Sequence, residues 1–159
     1  MGRKKPSGAT PALTLLDKAG VPYSVHSFDS GQADFGAQAA RELQVDPARV
    51  FKTLVIDAGF LAVCLVPVDS KLSLKKAARA FGAPKATMAD PKRAERSSGY
   101  VTGGISPLGQ RTVLPTAVDD SALQHETIFF SGGRRGLDIE ISPKDLEKLL
   151  ELSFYPLAQ

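Results

Sequence analysis

The chain holds very little of the side-chain chemistry that most catalytic sites are built from. Its 159 residues include one cysteine, Cys64, and two histidines, His26 and His125. A lone cysteine excludes an intramolecular disulfide. Cys64 sits in the apolar run Leu61-Ala62-Val63-Cys64-Leu65-Val66, where a thiol reads as a small buried hydrophobe rather than a nucleophile. The two histidines are far apart in sequence and neither has a partner at ligand spacing, so no metal signature is present. No apolar run approaches the ~18 residues that span a bilayer. The motif G-x-G-x-x-G is missing, which disfavours a dinucleotide cofactor, and so is the G-x-S-x-G of serine hydrolases. Residues 1–9 are basic and polar without the apolar core of a secretory signal, and read as a short disordered tail on a cytoplasmic protein.

The rest is ordinary for a globular domain of this length: 43% hydrophobic and 23% charged residues, with a net charge of +3. Residues 10–159 form the expected single domain. The mild positive balance is compatible with an anionic partner without being diagnostic. Basic residues cluster at Lys75, Lys76 and Arg79, at Lys92, Arg93 and Arg96, and at Arg134 and Arg135. Each cluster alone reads as a solvated face; together, beside glycine-rich segments, they make RNA or phosphate a plausible partner.

Local signals mark the elements. Thr10-Pro11 caps a helix ending at Gly20, Asp34 can cap another reaching Leu43, and Asp46-Pro47 opens a brief turn. Alternation predicts a strand over 23–28, with His26 as a surface or pocket-wall residue. Runs 50–56 and 60–66 form a central hairpin around Ala58-Gly59. Ser73 caps a helix closed by Gly82, 86–88 is a short strand, and Asp90-Pro91 starts a helix ending near Gly99. Segments 112–114 and 116–118 look extended, 127–131 and 137–141 pair around a turn at 132–136, and Ser142-Pro143 opens a last helix over 144–152. This mixture lacks a strict βαβ repeat. It predicts an α+β fold with a mixed, largely antiparallel, curved sheet flanked by helices.

Three places carry candidate chemistry. Lys52 shares a strand face with Val50, Leu54 and Ile56, where an ammonium is costly unless it lines a polar cavity or meets an anion. The run Tyr100-Val101-Thr102-Gly103-Gly104-Ile105-Ser106-Pro107-Leu108-Gly109 holds glycines but no acid, base or thiol. Its consecutive N–H groups suit an oxyanion nest. The third is Ser131-Gly132-Gly133-Arg134-Arg135-Gly136-Leu137-Asp138. Asp138 and Glu140 share one face of its return strand, so either acid could approach Lys52. No histidine is placed to activate Ser131.

These stretches, with Met88-Ala89-Asp90-Pro91, Leu114-Pro115-Thr116 and Asp34-Phe35-Gly36, resemble the YbaK/EbsC family from Thr10 to Leu150. That family comprises bacterial relatives of the editing domain inserted in prolyl-tRNA synthetase. The resemblance implies a freestanding deacylase for mischarged tRNA, with Cys-tRNA(Pro) as the characteristic substrate, no cofactor and the tRNA acceptor end as partner. The sequence leaves open whether it works in a complex with prolyl-tRNA synthetase. The alternatives are a water-using deacylase for Ala- or Ser-type tRNA and a non-catalytic tRNA- or synthetase-binding module. It implies catalytic roles for Lys52, Gly103 and Asp138. It also implies substrate contacts or pocket support from Phe28, Phe35, Thr53, Gly104, Ile105, Ser106 and Ser131. Relatives often carry tyrosine where this chain has Phe28, so the pocket has no phenolic hydroxyl there.

Overall fold

The computed structural model describes residues 9–29 and 35–159, with the backbone alone at Phe35 and Gly36. The basic tail, apart from Ala9, and the Asp34 cap lie outside the described residues. Thr10 Oγ1 accepts from Leu13 N–H and opens helix α1, Pro11–Ala19, which buries Ala12, Leu13 and Leu16 and stops at Gly20 with φ 75°. Strand β1 is Ser24–Ser27, and helix α2 is Phe35–Leu43. A 3₁₀ turn at Pro47–Arg49, capped by Asp46, leads into β2, Phe51–Asp57, and β3, Leu61–Pro67. Helix α3, Leu74–Ala80, carries the Ser73 cap. Strand β4, Thr87–Met88, precedes helix α4, Pro91–Ser98. The second half holds β5, Thr116–Asp119; β6, Ile128–Arg134; β7, Leu137–Ile141; helix α5, Pro143–Leu149; and β8, Leu152–Tyr155.

The fold is α+β, and its strands divide into two sheets. One runs β1-β7-β6 and the other β4-β2-β3-β5-β8. The pairings are antiparallel except β3 with β5 and β5 with β8. An isolated parallel bridge, Val50 to Phe129, ties the two sheets at one corner. The main core fills the space between them: Phe51, Val63 and Leu65 from one sheet meet Phe130, Leu137 and Ile139 from the other, with Leu13 and Leu16 of α1. On the far face of the larger sheet, Ile56, Cys64 and Val66 pack on Ala77 of α3.

Three elements differ from their sequence reading. Residues 112–114 are irregular. The last helix ends at Leu149, and β8 follows it. Leu152 and Phe154 pack onto the main core, while Asp119 Oδ1 accepts from the N–H groups of Leu157 at 2.8 Å and Ala158 at 2.9 Å. Tertiary pairing overrides helical continuation there. Strand β6 also continues through the glycines to Arg134, by a bulge between Ser131 and Arg134, so the turn is only Arg135-Gly136.

Candidate active site

Strand β2 is covered on one edge by β3 along its whole length. Along the other edge the strand pairings among the described residues are Val50, just ahead of β2, with Phe129 of β6, and Ile56 and Asp57 with β4. The gap between opens into a cleft of about 370 Å³. Its walls include Lys52 and Thr53 of β2, Thr102, Gly103 and Ile105 of the glycine loop, and Ser131, Arg134 and Asp138 of the β6–β7 hairpin; Phe28, Val68, Met88 and Ala94 add apolar surface.

The register of β2 decides what faces the gap. Val68 N–H donates to Val50 C=O, so Val50, Lys52 and Leu54 turn their main-chain groups toward β3. Phe51, Thr53 and Val55 turn theirs the other way, and Val55 C=O accordingly accepts from Ala89 N–H at 3.1 Å. Thr53, with no strand opposite it among the described residues, turns its N–H and C=O to the cleft side. Its Oγ1 is buried and has no hydrogen-bond partner among the described residues. Lys52 is half-buried. Burial pulls its pKa below the usual lysine range; Asp69 works against that and Lys71 adds to it.

Asp138 is 6% exposed. Burial pushes its pKa up to about 7, and neighbouring His26 opposes the rise. His26 is its cross-strand partner on β1 and Ser131 its partner on β6. Of the two acids on β7, Asp138 shares the cleft with Lys52. Glu140 does not line it: its carboxylate meets His26 Nε2 at 2.9 Å, accepts from Thr127 Oγ1 at 2.6 Å and lies 3.5 Å from Arg49 Nη2. Burial raises the Glu140 pKa, but these partners bring it below the usual range.

The glycine loop begins with a turn in which Gly104 N–H donates to Val101 C=O at 2.9 Å and Gly103 has φ 89°. The Gly104 N–H is therefore engaged, and Gly104 is not among the cleft-lining residues. It serves packing instead: a Cβ there would lie 2.7 Å from the Arg134 backbone. Ser106 is fully buried and also outside the cleft wall; its Oγ accepts from Leu108 N–H at 3.2 Å. The structure thus brings together Lys52, Gly103, Asp138, Phe28, Thr53, Ile105 and Ser131. The side chain of Phe35 lies outside the described residues.

Two contacts had no sequence signal. Glu95 Oε2 accepts from Thr102 N–H at 2.7 Å, and Arg135 Nε and Nη2 donate to Thr102 C=O at 3.0 and 2.7 Å. Each joins residues that no motif spacing relates.

The model of the aminoacyl-tRNA editing domain matches residues 31–149. A protein of Enterococcus faecalis named "Putative Cys-tRNA(Pro)/Cys-tRNA(Cys) deacylase EbsC" is 33% identical over 157 residues, covering 97% of this chain and 96% of the relative. The chain belongs to the aminoacyl-tRNA editing domain family, in its YbaK/EbsC branch. A second relative of this editing domain, the uncharacterized protein YwhH of Bacillus subtilis, is 31% identical over 113 residues, 70% of this chain and 71% of its own. The fold recurs in a solved structure described as "a putative trans-editing enzyme for prolyl tRNA synthetase", at TM-score 0.85 and 23% identity over 98% of this chain and 99% of that one. The region matched by the family model contains every candidate site residue of this editing domain except Phe28. No helix among its described residues is long and apolar enough to cross a membrane.

Proposed function

We propose that this editing domain is a trans-editing deacylase that removes cysteine from mischarged Cys-tRNA(Pro), with the substrate's own thiol as nucleophile. The observation that supports this most is the composition of the cleft. It offers a cation, Lys52, a free-edge strand at Thr53 and the Gly103 main chain, but no cysteine or histidine lines it among the described residues. Cys64 is fully buried, its thiol pushed up to about 12 by burial. An aminoacyl ester is already activated and needs geometry more than a protein nucleophile.

In the proposed step the cysteinyl sulfur bonds to the carbonyl carbon and the bond to the ribose oxygen breaks. The thiol proton ends on that oxygen, giving free tRNA and a cysteine thiolactone. The Gly103 N–H donates to the developing oxyanion, and Ile105 closes the wall behind it. Lys52 meets the terminal adenosine phosphate or the carbonyl region. Ser131 and Asp138 orient the amino group or ribose, Thr53 and Phe28 shape the pocket, and Phe35 belongs to the same set through its family position. Proximity of this kind supplies up to about 7–11 kcal/mol of a barrier, and one oxyanion donor about 3–4. The basic faces of α3 and α4 approach the acceptor stem, so affinity falls as salt rises.

One observation favours a second reading. A carboxyl titrating at about 7, as Asp138 does, is in the range of a general base for water. Attack by water would serve Ala- or Ser-tRNA as well. A deacylation panel across aminoacyl-tRNAs, with and without prolyl-tRNA synthetase, separates the two. Preferential clearance of Cys-tRNA(Pro) supports the first; efficient clearance of Ala-tRNA overturns it. Dependence on the synthetase would show that tRNA identity is read by that partner in a complex.

A further inference from the structure

The turn Val101-Thr102-Gly103-Gly104 has a built-in ambiguity. Its closing hydrogen bond joins Gly104 N–H to Val101 C=O, and the peptide between Thr102 and Gly103 is the central one. Types I and II of such a turn differ by a flip of that central peptide, and glycine in the third position accommodates both. With φ 89° at Gly103 the turn is type II. A flip would carry the Gly103 N–H to the opposite side of the loop and put a carbonyl oxygen in its place. An oxyanion donor on an unrestrained Gly-Gly turn would therefore be right only part of the time.

The peptide is held from both sides. Arg135 grips Thr102 C=O with two N–H groups, Nε at 3.0 Å and Nη2 at 2.7 Å. In a trans peptide C=O and N–H point in opposite directions, so fixing this carbonyl on Arg135 turns the Gly103 N–H away from Arg135. Glu95 Oε2, from α4, holds Thr102 N–H at 2.7 Å and so fixes the preceding peptide. That bond, then the Thr102 hydroxyl, and Arg135 and Lys92 more weakly, hold the Glu95 carboxyl below its usual range. Both Thr102 and Gly103 line the cleft.

We propose that Arg135 and Glu95 are positioning residues that clamp the Thr102–Gly103 peptide in one orientation and so aim the Gly103 N–H into the cleft. The inference rests on the reading of that N–H as the oxyanion donor. It also gives Arg135, an exposed member of a basic cluster, a task other than binding phosphate. Lysine could replace it in a phosphate contact but not in a two-pronged grip on one carbonyl.

The test is single-turnover deacylation of Cys-tRNA(Pro) by the full chain. The variants are Arg135→Lys, Glu95→Ala and Glu95→Gln, together with a chain carrying glycolic acid in place of Gly103, whose N–H becomes an ester oxygen. Arg135→Lys and Glu95→Ala are expected to lower the maximal rate by about 10- to 100-fold with the half-saturating enzyme concentration unchanged. Glu95→Gln keeps an acceptor and retains most of the rate. In the glycolate chain, itself slow, Arg135→Lys costs nothing further. Unchanged Arg135→Lys rates, a loss confined to half-saturation, or a full additional loss in the glycolate chain would overturn the clamp. A glycolate chain working at the wild-type rate would refute the donor reading itself. The Gly103 amide resonance in 15N-glycine-labelled protein moves in Arg135→Lys if the peptide reorients, and stays in place if it does not.

Discussion

Ser131 and Asp138 stand directly opposite each other on β6 and β7, and both line the cleft across from the free edge of β2. The pair sits just before the bulge that carries β6 through its two glycines, so the hairpin delivers one hydroxyl and one carboxyl to the same wall. Burial sets the carboxyl apart from every other acid of the domain whose shift is resolved, because it alone is raised.

Asp138 makes stability depend on pH in a defined direction. An unfolded aspartate releases its proton near 3.8 and the folded one at about 7. Between these values the folded chain binds the extra proton, so stability is highest below about pH 4 for this group and declines as pH rises through 7. The decline is on the order of a few kcal/mol. Urea unfolding of wild type and Asp138→Asn at a series of pH values isolates it: the wild-type slope is absent from the variant. The deacylation rate of wild type should show an inflection near 7 that Asp138→Asn lacks.

Thr53 carries a buried hydroxyl with no partner among the described residues, which the proposed function gives to the substrate. A buried hydroxyl without a partner costs roughly 1–3 kcal/mol. Thr53→Val keeps the shape and removes the hydroxyl. The variant should unfold about 1 kcal/mol later than wild type in urea while deacylating more slowly. Equal loss of stability and activity would place the hydroxyl in the packing rather than in the pocket.

The proposed function has Lys52 meet a phosphate or the carbonyl region, and salt tells these apart. Lys52→Ala should lower kcat/KM for Cys-tRNA(Pro). If the partner is phosphate, the slope of log affinity against log salt becomes shallower by about 0.7, as for one single-strand contact. Wild-type kinetics in Lys52→Ala would remove it from the mechanism.

Ser106 reads from the structure as a buttress. Its Oγ holds Leu108 N–H inside a fully buried turn, so Ser106→Ala should destabilise by about 1–2 kcal/mol in thermal or urea unfolding. The half-saturating concentration for tRNA should stay where it is, since Ser106 does not line the cleft.

How much of this was legible in the chain follows from range. Caps at Thr10, Asp46, Ser73 and Ser142 and the hairpin of β2 and β3 are local, and sequence signals located them. Strand β8 is set by pairing with β5 and by the grip of Asp119 on residues 157 and 158, which no window around Leu152 contains. At the site, motifs marked Lys52, Thr53, Gly103, Ser131 and Asp138, and the fold brings them to one cleft. The engagement of Gly104 N–H by Val101, the burial of Ser106 and the contacts of Glu95 and Arg135 with Thr102 are properties of a folded turn. A list of glycines and hydroxyls does not distinguish a donor that is free from one already bonded.

The most direct test compares two substrates that differ by one atom. Cys-tRNA(Pro) and Ser-tRNA(Pro) present sulfur and oxygen at the same position of the same ester, and only the thiol is a competent internal nucleophile. Single-turnover deacylation should clear the cysteinyl ester rapidly and leave the seryl ester close to its spontaneous rate. Equal enzymatic rates for the two would contradict substrate-thiol attack and transfer the nucleophile's role to water.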